Sequence, residues 1–184
     1  MPSGTLIRER NIVMALEAIT LYKLITLYML DKVDFPLTNA TVIGFFSEKG
    51  YTDYATVLTV LRVLEDDGLV DVESNRSNTS YTINDNGREM LGFFGNKISD
   101  DIKKEINDYL TANRYELKQA ANIVSEYYKT TSGDYAVHCY VKENNSTLMD
   151  FTISVPDESI ADGMCDKWKS ASQDIYDYVF HKLM

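Results

Sequence analysis

The sequence predicts an α+β chain: a winged helix-turn-helix domain followed by a small three-stranded antiparallel sheet with helices. Three signals predict the first half, and all fall between Thr52 and Leu91. A helix closes on Leu61-Arg-Val-Leu64-Glu-Asp-Asp-Gly68-Leu69-Val70. A polar tip, Ser74-Asn-Arg-Ser-Asn78, then separates two short alternating runs. Tyr81-Thr-Ile83-Asn84-Asp-Asn-Gly87-Arg-Glu-Met-Leu91 opens a further helix. Helix, strand, wing, strand, helix is the back half of a winged helix, a fold that sets one helix in a DNA major groove with a hairpin beside it. Residues 1–97 are read as this domain, with a dimerisation-type helix at its start, and 98–184 as a C-terminal α+β domain.

The N-terminal helix is greasy. From Ile12 to Leu30, 15 of 19 residues are apolar or Tyr, and Glu17, Thr20, Lys23 and Thr26 form one narrow polar stripe. Two charges in a run of minimal spanning length argue against a membrane span, at roughly 2.5–3.5 kcal/mol for a central Lys. A helix apolar around most of its circumference is buried on several sides. One side covers the domain core, and the other takes a second copy of the chain or the C-terminal domain of the same chain.

Pro36 keeps Phe35 extended, which suits a short first strand. Thr38 or Asn39 caps a second helix that runs to about Lys49 with Val42, Phe45 and Phe46 inward. Gly50-Tyr51-Thr52 makes the turn, and a third helix starts near Thr52 or Asp53. On its helical wheel Tyr54, Val57, Leu58, Leu61 and Leu64 group as core, with Thr52, Thr56, Thr59, Arg62 and Val63 on the opposite arc. Thr hydroxyls and methyls can touch base edges, but only Arg62 could grip a guanine bidentately. Glu65, Asp66 and Asp67 oppose both the helix dipole and a phosphate backbone. Strands at Leu69–Glu73 and Ser80–Ile83 carry a tip whose one charge is Arg76, with Asn78 beside it. An Arg there can enter a minor groove. Asn84 caps a helix whose Met90, Leu91 and Phe94 return to the core, and Arg8 and Arg10 mark an N-terminal arm.

In the second half, Ser99 caps a helix to Leu110, and Thr111 to Arg114 breaks it. Ala121 to Thr130 could be helix or strand; strand is favoured because Thr131-Ser-Gly133-Asp134 is a turn signal before the alternating run Tyr135 to Val141. Asn144-Asn145 turns the chain into Leu148–Val155, and Pro156-Asp157 starts a long helix to Leu183. Met164, Cys165, Trp168, Ala171, Ile175 and Val179 line one side of that helix, with Trp168 as its anchor on a three-stranded meander. Asp150 points to the other side of the sheet.

The residues carry a resemblance. Leu64-Glu-Asp-Asp-Gly68-Leu69-Val70 followed by Tyr81-Thr-Ile-Asn-Asp-Asn-Gly87-Arg88 resembles the pattern of PadR-like winged-helix regulators, with Asn84 where they usually carry a capping Thr. Leu27-Tyr28-Met-Leu30, Phe35-Pro-Leu-Thr-Asn39, Gly50-Tyr51-Thr52, Tyr127-Tyr128-Lys129 and the Trp168–Tyr178 helix resemble an uncharacterised bacterial family of unknown function. That resemblance implies a PadR-like winged helix with an extra C-terminal domain, in a cytoplasmic transcriptional regulator of no established target or effector. PadR proteins dimerise through a C-terminal helical arm. Here an α+β region stands in its place.

Composition constrains function. Apolar content of 45% supports a packed core. Net charge is −10 with a pI near 4.6, and both halves are acidic: 9 basic and 13 acidic residues through Lys97, then 9 and 15. DNA affinity comes largely from Lys and Arg on phosphates, so this balance opposes strong non-specific binding. Cys139 and Cys165 fit no metal or redox spacing and are expected to be buried thiols in a reducing compartment. The Met-Pro-Ser-Gly start is not a cationic signal region, so a cytoplasmic protein is expected. His138 and His181 are the only histidines, and no catalytic grouping, metal site or cofactor motif accompanies them. An enzyme is not expected.

The leading expectation is a homodimeric regulator that reads double-stranded DNA with Thr52, Thr56, Thr59, Arg62, Arg76 and Asn78. The alternative is a protein-interaction or ligand-sensing module that kept the winged-helix fold without strong DNA binding. A solvated helix face with no ligand is the plain reading of the Thr stripe. A small-molecule effector could sit between helix and sheet in the C-terminal domain, near Tyr127, Tyr128, Tyr135, Tyr140 and His138, or these residues could pack the core or a dimer seam.

Overall fold

The computed structural model describes the backbone over residues 3–74, 78–143 and 146–184, and side chains within those spans from Leu16 onward. The chain is α+β, with seven α-helices and two three-stranded antiparallel sheets among the described residues. It divides into two compact units, residues 1–73 with 79–117, and residues 74–78 with 118–184.

The first unit starts with α1 (Ser3–Asp31). Arg8 and Arg10 therefore stand in a helix rather than in an arm, and their side chains lie outside the described residues. The second half of α1 is the centre of the core: Leu24, Ile25, Thr26, Leu27, Met29 and Leu30 are all buried. The expected polar stripe thus stops at Lys23. Thr26 is 0% exposed because its hydroxyl donates to the Tyr22 carbonyl at 2.9 Å, which hides the polar group inside the helix. Lys23 itself is neutralised by Asp67.

Around α1 pack β1 (Leu37–Thr38), α2 (Asn39–Glu48), α3 (Tyr54–Asp66), β2 (Val70–Ser74), β3 (Thr79–Ile83), α4 (Asp85–Phe94) and α5 (Asp100–Ala112). The sheet order is β1-β3-β2, with Leu37 opposite Tyr81. An aromatic cluster fills the space beside α2: Phe45 meets Phe46 edge-on at 5.7 Å and Tyr109 of α5 at 5.2 Å, and Tyr22 meets Phe46 at 5.5 Å. Tyr51 is tied into this cluster. Its phenol donates to Glu105 at 2.5 Å and its carbonyl accepts from Tyr22 at 2.8 Å. Burial, then the Glu105 hydrogen bond and charge, push that phenol up to about 12.

Local chemistry sets the helix ends. Thr38 Oγ1 caps α2 through the Thr41 N–H, Asp53 caps α3 through Thr56, and Ser99 caps α5 through Ile102. Both α2 and α3 end in the same six-residue cap. Tyr51 N–H reaches the Phe46 carbonyl at 3.0 Å across Gly50, and Leu69 N–H reaches the Leu64 carbonyl at 3.0 Å across Gly68. Gly50 and Gly68 hold φ of 66° and 65°, the left-handed geometry this cap needs. Of the polar tip Ser74–Asn78 expected as a wing, Asn75, Arg76 and Ser77 lie outside the described residues.

The second unit contains β4 (Ile123–Lys129), β5 (Tyr135–Glu143), β6 (Ser146–Val155) and α7 (Glu158–Leu183). The expected meander is present in the order β4-β5-β6; the Asn144-Asn145 turn lies outside the described residues. Helix α6 (Arg114–Asn122), which precedes β4, was not expected. Trp168 is the anchor on α7, 3% exposed, edge-on to Phe151 at 5.2 Å, and packed with Tyr127, Val137, Cys139, Val155 and Ala161. Both cysteines are free, and burial with the neighbouring Cys165 pushes the Cys139 thiol up to about 11.

Glycine packing gives a direct test of the first unit. A Cβ on Gly87 would stand 2.2 Å from the Leu69 carbonyl oxygen and 2.8 Å from Ile83, whereas one on Gly92 would meet nothing within 4 Å. Gly87→Ala is expected to lose at least about 1–3 kcal/mol of stability, and Gly92→Ala to gain about 1 kcal/mol from helix propensity. Chemical unfolding followed by far-ultraviolet circular dichroism measures both. Equal effects of the two substitutions would contradict the close packing at Gly87.

Candidate functional site

Helix α3 forms because Asp53 caps it, Gly68 stops it, and Val57, Val60, Leu61 and Leu64 place a buried edge every three or four residues. The inward face is rotated from the sequence expectation. Val60, which the wheel did not place in the core group, is 0% exposed, and Tyr54 is 60% exposed rather than core. Tyr54 is the first residue of the helix, so no preceding turn covers its ring, and the core closes over Val60 instead. Phe94 is also outward, 44% exposed at the end of α4, with Lys97 over its ring at 5.3 Å.

Of the expected contact residues, Thr56, Thr59 and Arg62 share α3, with Thr52 just before its cap. Thr59 and Arg62 are exposed; Thr52 and Thr56 are half-buried. The Thr59 hydroxyl donates to the Ala55 carbonyl at 3.0 Å, leaving its oxygen lone pairs and methyl outward. Asn78 is half-buried and belongs to the second unit, while Arg76 lies outside the described residues.

Most of the described cations of the unit are paired. Lys23, Lys32, Lys49, Arg88, Lys103 and Arg114 each pair with a carboxylate. Among the described residues of the unit, Arg62, Lys97 and Lys104 have no carboxylate partner, and Arg62 is the one that stands on α3. At the start of α3, the Thr56 backbone N–H and hydroxyl hold the Asp53 carboxyl below its usual range. An anion therefore already occupies the helix N-terminus, which would otherwise attract a phosphate. Any phosphate or base contact by α3 falls to Thr59 and Arg62 in mid-helix.

The residues expected to line an effector pocket in the second unit separate onto two faces. Tyr127 and Tyr135 face α7, their rings 6.0 Å apart and their phenols on Glu158 at 3.1 and 3.4 Å. The sheet register puts Tyr128, His138 and Tyr140 on the opposite face. His138 is bracketed there: Nδ1 lies 3.3 Å from Glu126 and Nε2 2.8 Å from Asp150. Asp150 is on the predicted side of the sheet, bonded to His138. Neutral imidazole has a single N–H, so only the imidazolium can donate to both carboxylates. Burial opposes that charge, but the hydrogen bonds and charges of Asp150 and Glu126 together outweigh it and raise the His138 pKa.

A cleft of about 410 Å³ does lie against α7, but its lining includes Lys169, Ser172, Glu143 and Ile123 rather than those five residues. Sequence reasoning passed over these because nothing in their spacing marks a site. Among the described residues no group of His, Cys, Asp and Glu is placed to hold a metal ion, and no helix is long and apolar enough to cross a membrane.

A folded-state pKa above the unfolded value stabilises the protein below the unfolded pKa of about 6.5 and loses that contribution as pH rises through the folded value. Wild type is therefore expected to exceed His138→Gln in stability most at mildly acidic pH, with the gap narrowing towards alkaline pH. Titration of the His138 ring by NMR should place its midpoint above about 6.5 and move it down in Asp150→Asn. A midpoint at or below the ordinary value would contradict the bracketed geometry.

No curated protein and no solved structure matches the chain. A family model does: a domain of unknown function (DUF4364) aligns with residues 22–183, from the buried half of α1 to the end of α7, and the chain belongs to that family.

Proposed function

We propose that the chain is a homodimeric transcriptional regulator whose first unit is a PadR-like winged helix, reading duplex DNA with α3 and the β2–β3 hairpin. The observation that carries this reading is Arg62: an exposed arginine with no ion pair among the described residues, beside Thr59 on α3, in a unit whose other cations are mostly paired. The element order around α3 supports it, as does the resemblance of Leu64–Val70 and Tyr81–Arg88 to PadR-like regulators. Arg62 takes the base or phosphate contact in the major groove, and the hairpin tip with Arg76 and Asn78 takes the second. The homodimer belongs to the same proposal. Leu24 to Leu30 are satisfied within the unit, so a second copy would cover the first half of α1, where Leu16 is 62% exposed.

The 60% exposure of Tyr54 and the acidic end Glu65–Asp67 favour a second reading, in which the same face of α3 docks a protein. Salt dependence separates the two. Each neutralised phosphate contributes about −0.9 to the slope of log affinity against log salt, so two arginines from each of two copies limit it to roughly −4.

Fluorescence anisotropy against labelled duplexes from upstream of the gene is expected to show binding at low salt that fades within that slope. Arg62→Ala should cost about 1–3 kcal/mol, and Arg76→Ala should lower the slope by about 1 for each phosphate left without its arginine. Absence of binding at low salt would overturn the DNA reading in favour of a protein partner. Light scattering should give twice the 21.0 kDa chain mass, falling to one chain in Leu16→Glu.

A further inference from the structure

The cleft in the second unit has a chemistry of its own, independent of what α3 contacts. Its volume of about 410 Å³ falls in the small-molecule range. Ile123 of β4, Val141 of β5 and Leu148 of β6 supply apolar lining from the sheet side. Lys169, Ser172, Gln173 and Tyr176 line it from one face of α7, at the i, i+3, i+4, i+7 spacing of a helix stripe.

Two observations mark it as a built site. Ser172 is 3% exposed and lines the cleft, yet its hydroxyl makes no hydrogen bond among the described residues. A helical serine ordinarily returns its proton to a carbonyl one turn back, as Ser170 does to Lys167 at 2.9 Å. Among the described residues no buried side-chain polar atom lacks a partner, so the Ser172 oxygen is open to solvent in the cleft, where it is an available donor and acceptor. The second observation is charge. Lys169 and Glu143 line the same cleft, and neither forms an ion pair with the other or with any other described side chain.

We propose that this cleft binds a zwitterionic small molecule with an apolar body, the chemistry of a hydrophobic α-amino acid. Lys169 takes the carboxylate, assisted by the Ser172 hydroxyl, and Glu143 takes the ammonium. The apolar chain lies on Ile123, Val141, Leu148 and Tyr176. A simple anion would meet Glu143 and a simple cation Lys169, each a like charge, so only a ligand carrying both signs is favoured by both residues. Its place in a regulator would be that of an effector.

The test is isothermal titration calorimetry on the full chain with L-leucine and L-phenylalanine, beside N-acetyl-L-leucine, which lacks the ammonium, and L-leucinamide, which lacks the carboxylate. At least one of the two amino acids should bind with a Kd below about 1 mM, and each blocked analogue of leucine should bind about tenfold more weakly than leucine. Lys169→Met should make leucine and leucinamide bind alike, and Glu143→Gln should make leucine and N-acetyl-leucine bind alike. Both side chains are exposed, so these variants fold, and thermal melts verify it. Blocked analogues that bind as tightly as leucine, variants that keep the wild-type preference, or no heat with either amino acid would each overturn the proposal. DNA binding by the same preparation is scored separately, so failure here leaves the DNA reading intact.

Discussion

The first unit depends on a junction of three residues, Gly68, Asn84 and Gly87. Asn84 works at both ends of its amide. Its Oδ1 accepts the Gly87 N–H at 3.0 Å and caps α4, while its Nδ2 donates to the Gly68 carbonyl at 3.1 Å. The Gly68 carbonyl lies at the end of α3, so one side chain fastens the close of one helix to the start of another. Gly87 completes the joint by having no side chain, because the Leu69 carbonyl occupies the space where a Cβ would be. A threonine in place of Asn84 could accept the Gly87 N–H, but it offers one proton on one short arm and cannot span both contacts in the same way. The hairpin between Gly68 and Asn84 is therefore clamped at its base, and the outer face of α3 is fixed with it.

That fixing has an electrostatic counterpart. Burying the second half of α1 requires the few charges near it to be neutralised, and Lys23 with Asp67 does so at the end of α3. The pattern repeats around the unit, with Arg88 between Asp31 and Asp85 and Arg114 on Asp34. Exposed pairs of this kind add little stability. Their larger effect is to remove positive potential from the surface, so a partner of α3, as proposed above, would be met by hydroxyls and one guanidinium rather than by a basic field. Specificity would come from the geometry of a few groups, and affinity would stay modest.

Much of this was legible in the sequence where it depended on near neighbours. Thr38, Ser99 and Asn84 each act at their expected helix starts, because a cap needs only the three residues that follow it. The meander was legible for the same reason: alternation and turn residues act locally. The facing of α3 was not. It carries more apolar residues than one face can bury, and the choice of Val60 over Tyr54 was made by α1 and α2, which the periodicity of α3 does not report. Helix α6 was hidden because its polar sequence, Arg114 to Asn122, buries only Leu117. The cleft was hidden more deeply. Glu143, Lys169 and Ser172 are ordinary surface residue types, and only the folded register of β5 against α7 brings them to one place.

The geometry of α7 explains why an opening exists at all. A 26-residue helix is about 39 Å long at 1.5 Å per residue, and its buried residues run only from Ala161 to Ser172. Beyond Ser172 the helix leaves cover, and Ile175, Tyr178, Val179, Phe180 and Leu183 are exposed. At Trp168 the indole fills the gap between helix and sheet, with Phe151 edge-on beneath it. One turn later the inward residue is Ser172, too small to fill the same gap, and the apolar ends of the strands at Ile123 and Val141 are left partly uncovered. A large apolar residue at 172 would have closed the core by simple burial. The chain places a hydroxyl there instead, which hydrogen-bonds to neither a carbonyl nor a side chain among the described residues. The space it leaves is bounded by Lys169 and Glu143, charges of opposite sign with no ion pair among those residues.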